Sequence, residues 1–278
     1  MACKVLKIGT HVEPDFSHGN NLKIQHMKII TTVFLLGLLL AADTVSAQQT
    51  ETRKVTDFTK LDIGGSFDAV LRQGNETSVK IITENIDTKK ILTETKGNTL
   101  RVSLEKGFYK NIKIKLEITY KNLDALHKSG SGNLTCESDL GGTGDFDLSL
   151  SGSGNMTIEG TVKGASISIG RSGSGNMKLA RLQSDRSKMS FSGSGNFEVR
   201  DGTAKTQTIH LSGSGNVSAY GLKTETCAAA VSGSGDIKVS VSDSIEAFIT
   251  GSGNIEYRGN AQVTKLEVHG SGRISKKS

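Results

Sequence analysis

The side chains and backbone groups best placed for chemistry recur in one phrase, Ser-Gly-Ser-Gly-Asn, written eight times with small variations between Ser129 and Arg273. A glycine-rich loop can cradle a phosphate on its amides when a helix follows it and a Lys-Ser or Lys-Thr pair supplies charge and a metal ligand. Here the phrase is followed by Leu134, Met156, Met177, Phe197, Val217, Ile237 and Ile255, with no such pair. Turn chemistry accounts for each part instead. Glycine supplies positive φ, and serine bonds the local backbone. Asn133, Asn155, Asn176, Asn196, Asn216, Asp236 and Asn254 are expected to stack as a structural turn ladder of side-chain amides.

Other chemistries meet similar difficulties. Gly141-Gly142-Thr143-Gly144-Asp145 resembles the opening of a calcium-binding β-roll repeat, but Phe146 and Asp147 are out of register for the next ligand, and several copies would be needed to share ions. Asp145, Asp147 and Asp236 therefore read as solvated turn residues. Glycoside cleavage needs two acids roughly 5–9.5 Å apart, and Glu159 and Glu198, two repeats from one another, fit that only loosely. His127, His210 and His269 have no acidic neighbour at a fixed offset. No nucleophile, base and orienting group can be named together, so no catalytic, cofactor-binding or metal-ligating set is assigned. Arg171 stands where other repeats carry Leu150, Phe191, Leu211 or Val231, and is expected to sit on a bulge that turns its guanidinium to solvent.

The elements that position these residues follow from the spacing. Copies begin at Ser129, Ser151, Ser172, Ser192, Ser212, Ser232, Thr250 and His269, about twenty residues apart, which indicates a solenoid of stacked coils. Apolar residues alternate after each phrase (Met177 and Leu179; Phe197 and Val199) and before it (Met189 and Phe191; Ile209 and Leu211). Period two means strand. Each coil should hold two short strands around a glycine corner, with too little chain left for a covering helix. Stacked in register, the coils form an all-β, single-stranded parallel β-helix, right-handed by the general rule for parallel crossovers. Neighbouring outward residues, Lys178 beside Glu198 and Lys238 beside Glu256, are expected to offset one another's charge.

Residues 129–278 make the regular β-helix, and 48–128 an irregular, β-rich N-terminal cap with early coils. Within the cap, Phe58 to Ile63, Phe67 to Leu71, Val79 to Thr83, Leu100 to Leu104 and Ile112 to Thr119 alternate as strands, and Asp87 to Leu92 read as one helical turn. Lys276 and Lys277 are expected to protect the other end by charge. Upstream, Met27 opens a Sec signal over residues 27–47: a lysine, an apolar run from Ile29 to Ala42, and Val45-Ser46-Ala47 before cleavage between Ala47 and Gln48. That run is short for a permanent membrane span. Residues 1–26 read as a non-native upstream extension.

Export bounds the function. Removing residues 1–47 takes away four lysines and three acids, so the net charge falls from +6 to +5. The charge is dispersed among acids and the chain has no Trp, which argues against a nucleic-acid partner and against an aromatic sugar platform. Cys136 and Cys227 are inward-facing and about four coils apart, near 19 Å from the strand spacing, so they are expected to be free and buried rather than bridged.

The stretches FTKLDIGGSFDAVLRQG, LEITYKNLDALHKSGSGN and GSGNIEYRGNAQVTKLEVHGSGRI, with the SGSGN ladder between them, resemble the head GIN domain family of auto-transporter adhesins over about residues 55–274. The resemblance implies a secreted β-helix of Gram-negative bacteria, with no catalytic residues to carry over. The expected function is a non-enzymatic envelope or surface protein, exported across the inner membrane to the periplasm, cell surface or medium. Its partner would be a surface glycan or a host or neighbour-cell protein. The alternatives are a carbohydrate-active β-helix enzyme with a degenerate site and a periplasmic scaffold.

Overall fold

The computed structural model describes residues 48–277. The upstream extension and the signal over 27–47 lie outside the described residues. The cap contributes β1 (Gln49–Lys54), β2 (Lys60–Gly64), β3 (Asp68–Gln73), β4 (Ser78–Glu84), β5 (Ile91–Lys96), β6 (Thr99–Leu104), β7 (Lys113–Tyr120) and the start of β8 (Ala125–Ser129). The regular coils contribute β9 (Leu134–Cys136), β10 (Leu140–Gly141), β11 (Asp145–Gly152), β12 (Met156–Gly173), β13 (Met177–Gly193), β14 (Phe197–Gly213), β15 (Val217–Gly233), β16 (Ile237–Gly251), β17 (Ile255–Arg258), β18 (Gln262–Gly270) and β19 (Ile274–Lys276). They stack as a parallel β-solenoid of about eight turns.

The stack follows the repeat. Met177 pairs with Phe197, Phe197 with Val217 and Val217 with Ile237, so like residues rise in columns. Leu134, Met156, Met177, Phe197, Val217, Ile237 and Ile255 are all buried. The coils of β12 to β15 have three paired segments, however, not two. Between β12 and β13 they run 156–158 with 177–179, 161–164 with 181–184, and 166–171 with 186–191. The middle segment buries a column the alternation does not announce: Leu140, Val162, Leu182 and Leu222. It contributes about one large apolar side chain per coil amid Gly, Lys and Asp, too few for a periodic signal.

The cap mixes both senses of pairing. β1 and β7 each lie antiparallel to β4, and β5 is antiparallel to β6. β2 lies parallel between β6 and β8, and β3 parallel between β7 and β9. The coil made by residues 60–73 is thus inserted between strands that come later in the chain. Neither β1 nor β5 stands out in the sequence, because their outward positions are filled with Thr, Glu and Lys. Arg53 joins the two: Nη1 donates to Ile91 O at 2.5 Å and to Thr93 Oγ1 at 3.1 Å, and Nη2 to Thr88 O at 3.0 Å. The hydrogen bond from Arg53 holds the Glu51 carboxyl down to about 2. The expected helical turn is a shorter 3₁₀ turn, Thr88–Lys90, capped by Asp87, whose Oδ1 accepts from Lys89 N at 2.9 Å.

Candidate functional site

The glycine corners spend their amides on one another. Ser194 and Gly195 N–H both donate to Gly173 O, at 3.1 and 3.3 Å, and Ser214 and Gly215 N–H to Gly193 O, each at 3.2 Å. The donors that a phosphate loop would aim at a ligand are therefore consumed by the preceding coil. The two glycines of a phrase serve different ends. Gly213 has φ +114°, in the region open chiefly to glycine, whereas a Cβ on Gly215 would lie 1.9 Å from Gly195 O.

Beside this corner runs a ladder of side chains. Asn155 N–H donates to Asn133 Oδ1 at 3.0 Å and Asn155 Nδ2 to the same oxygen at 3.1 Å. The backbone bond repeats from Asn176 to Asn155, Asn196 to Asn176, Asn216 to Asn196, Asp236 to Asn216, and Asn254 to Asp236. One further rung precedes them: Asn133 N–H donates to Asp68 Oδ1 at 2.9 Å. Gly65-Ser66-Phe67-Asp68 is thus a degenerate copy of the phrase, recognisable only because β2 and β3 form an inserted coil. Asn176→Ala leaves the Asn196 amide without its acceptor and should cost about 1 kcal/mol in urea unfolding. Asn176→Asp keeps the acceptor, as Asp236 does, and should cost clearly less.

Two cations lie under the corners. Arg171 is 3% exposed and pairs in unbroken register with Phe191, so the expected bulge and solvent-facing guanidinium are incorrect. Its Nη1 donates to Gly173 O at 3.0 Å and Ser192 O at 3.2 Å, and its Cζ lies 5.6 Å from the Phe191 ring centroid. The side chain runs along the stack into space left by absent Cβ atoms: one on Gly195 would meet Nη1 at 2.5 Å. Its Nε and Nη2 are buried without partners, and burial pushes its pKa down. Lys128, 1% exposed, occupies the same column two coils earlier. Its Nζ donates to Gly65 O at 3.0 Å and Ser129 O at 2.9 Å, and burial lowers its pKa.

On the outer face, the expected isolation of His127 does not hold. Its Nδ1 lies 3.0 Å from Asp62 Oδ1 and its Nε2 3.8 Å from Asp147 Oδ2. Asp62, His127 and Ser149 align across three strands, but Nε2 is turned to the second carboxylate. Lys178 and Glu198 are neighbours in register, as are Lys238 and Glu256, yet the acids pair elsewhere. Glu198 is 3.6 Å from Arg200 and Glu256 is 3.4 Å from Lys277. Cys136 and Cys227 are free and buried, on different walls, and burial pushes the Cys227 thiol up to about 12. Among the described residues, no group of three or more His, Cys, Asp or Glu could hold a metal ion.

The groove with the most distinctive lining arises from a defect in the repeat. The coil from Ser232 to Thr250 is 18 residues long where the three before it are 20. Between β15 and β16 the register jumps from Ala219–Val239 to Lys223–Ser240, three residues fewer on β16, and regains one between Thr224 and Thr226. The shortened coil leaves Tyr220 overhanging a notch of about 660 Å³. Arg258, from the following coil, lies over the Tyr220 ring at 4.1 Å, and the phenol donates to Glu256 Oε1. Lys205 and Asp185, paired at 2.8 Å, line the groove with Lys223 and Glu225. Tyr220 is visible in the sequence as an outward aromatic. Its partner, Arg258, is not, because the missing residues bring the two coils together.

Fold and surface define a β-solenoid whose corner amides are spent within the stack and whose charged side chains line its outer walls. The chain belongs to the family described as "Putative auto-transporter adhesin, head GIN domain", whose model matches residues 57–158 and 146–261. Several solved structures are similar, three of them as follows. A "putative adhesin" from Parabacteroides merdae has TM-score 0.79 at 21% identity, covering 84% of this chain and 98% of that one. A "Putative lipid binding protein" from Parabacteroides distasonis has TM-score 0.75 at 27% identity, with the same coverages of 84% and 98%. A "putative adhesin" from Bacteroides fragilis has TM-score 0.62 at 26% identity, covering 83% and 97%. A search of the curated proteins gives no match.

Proposed function

We propose that this chain is an exported, non-enzymatic envelope protein that acts as an adhesin at the cell surface, holding an extracellular polymer, in the first instance a surface glycan, in the notch beneath Tyr220. Family membership and the adhesin neighbours support the surface role. The leader over residues 27–47, with cleavage between Ala47 and Gln48, supports export, and no helix among the described residues is long and apolar enough to cross a membrane. The notch carries the binding half of the proposal. Where the coil from Ser232 to Thr250 is shortest, an aromatic ring, a guanidinium and two further cations line a single depression.

Tyr220 offers an apolar ring edge and a hydroxyl, while Arg258, Lys205 and Lys223 offer donors to hydroxyl and carboxyl groups. The immobilised mature chain should therefore retain a subset of bacterial or host glycans. Tyr220→Ala and Arg258→Ala should each weaken that retention about tenfold or more, as an aromatic or arginine anchor does, without changing the far-ultraviolet circular dichroism. Undiminished retention by both folded variants would remove the notch from the binding site. Release of new chain ends from any glycan retained would favour the enzyme reading.

A further inference from the structure

The two ends of the solenoid are finished differently. At the cap, Ile91 of β5 and Leu100 and Val102 of β6 are wholly buried. At the other end β18 is exposed throughout, with Val263, Leu266 and Val268 at 41, 50 and 38%. β18 pairs with β16 along one edge, and among the described residues no strand pairs with its other edge. An unpaired edge with an apolar inward face is a ready template for another strand.

We propose that this edge binds a second copy of the same chain, tail to tail, by antiparallel pairing of β18 with its equivalent about a two-fold axis at Leu266. Charge selects both the occupant and the register. Leu266 aligns with the inward Ala247 and Val268 with the inward Ile249, while Lys265 and Glu267 face outward and form a pair at 3.1 Å. Centring the axis on Leu266 sets Leu266 against its own equivalent and Lys265 of each copy opposite Glu267 of the other, so both ion pairs are exchanged across the interface. Centring it on Glu267 sets two carboxylates face to face, and centring it between the two residues mixes inward and outward side chains. Of these three registers, the one centred on Leu266 satisfies the apolar face and the charged face together. The cap offers this strand a poorer partner: its outer strands β1 and β5 each pair on one edge, but they carry one exposed large apolar residue, Leu92, where β18 carries three.

The test is the solution mass of the mature chain by light scattering after gel filtration. The wild type is expected at twice the chain mass. Lys265→Glu gives an all-acidic strand and Glu267→Lys an all-basic one, and each alone should be monomeric with an unchanged circular dichroism spectrum. Mixed in equal amounts, the two variants should recover the doubled mass, because acidic and basic strands then face each other at both positions. A monomeric wild type overturns the proposal. So does a mixture that stays monomeric, or a pair of single variants that remain dimeric, since either result places the contact elsewhere.

Discussion

Gly215→Ala destabilises the solenoid by about 3 kcal/mol or more, whereas Gly144→Ala leaves it unchanged or slightly more stable. A Cβ at 215 would lie 1.9 Å from Gly195 O, while one at 144 meets nothing within 4 Å. Relief at 215 would require the coil to move away from its neighbour. Ser214 and Gly215 N–H are both bonded to Gly193 O, and the two coils are paired β13 to β14 before the corner and β14 to β15 after it, so that movement breaks the contacts that define the stack. The comparison is made by urea unfolding, with attention to whether the transition stays single, because each coil of a solenoid touches only its neighbours. Equal stability of the two variants would mean that the corners are not close-packed and that the repeat's glycines serve only backbone conformation.

Arg171→Met has the opposite sign. The guanidinium keeps two nitrogens buried and unpaired, each costing about 1–3 kcal/mol, and no acid among the described residues forms an ion pair with it. Methionine follows the same unbranched path under Gly195 and restores the apolar column of Leu150, Phe191 and Leu211. Replacing buried ionic groups by well-packed apolar ones often stabilises by about 1–4 kcal/mol, and a gain in that range is expected, raising the melting temperature by several degrees. A loss of stability would show that the bonds to Gly173 O and Ser192 O outweigh the desolvation of the charge.

These two sites show where a periodic sequence is readable and where it is not. The columns beside the phrase are legible because a period of two and a period of twenty coincide there, so burial of Met177 or Phe197 follows from position alone. The middle segment is not, since Val162 and Leu182 stand singly among polar residues. The burial of Arg171 is not legible in sequence, because its own wall offers a guanidinium no partner. The space that accepts it is made by glycines one and two coils further on, which only the stack reveals. Asp68 is hidden for the reverse reason: its coil comes early in the chain but is inserted beside the coil of Asn133.

The notch is the hardest feature to read in sequence. The step of 18 residues is plain, yet nothing in the repeat says where the two residues are lost. The loss falls after Val239, opposite residues 220–222 of the preceding coil, and Arg258 comes to lie over Tyr220. An ion-pair expectation from register alone failed for a related reason. Lys178 and Glu198 are neighbours, but Arg200, two residues along on the same strand, is the partner Glu198 takes.

The central claim is that this solenoid works outside the cell, and protease shaving of intact cells expressing a tagged mature chain behind its own leader tests it most directly. A periplasmic protein in the same cells serves as the control. The account predicts selective loss of the tag with the control spared. Protection of the tag until the outer membrane is opened would contradict it and place the protein, with its notch and its ligand, in the periplasm.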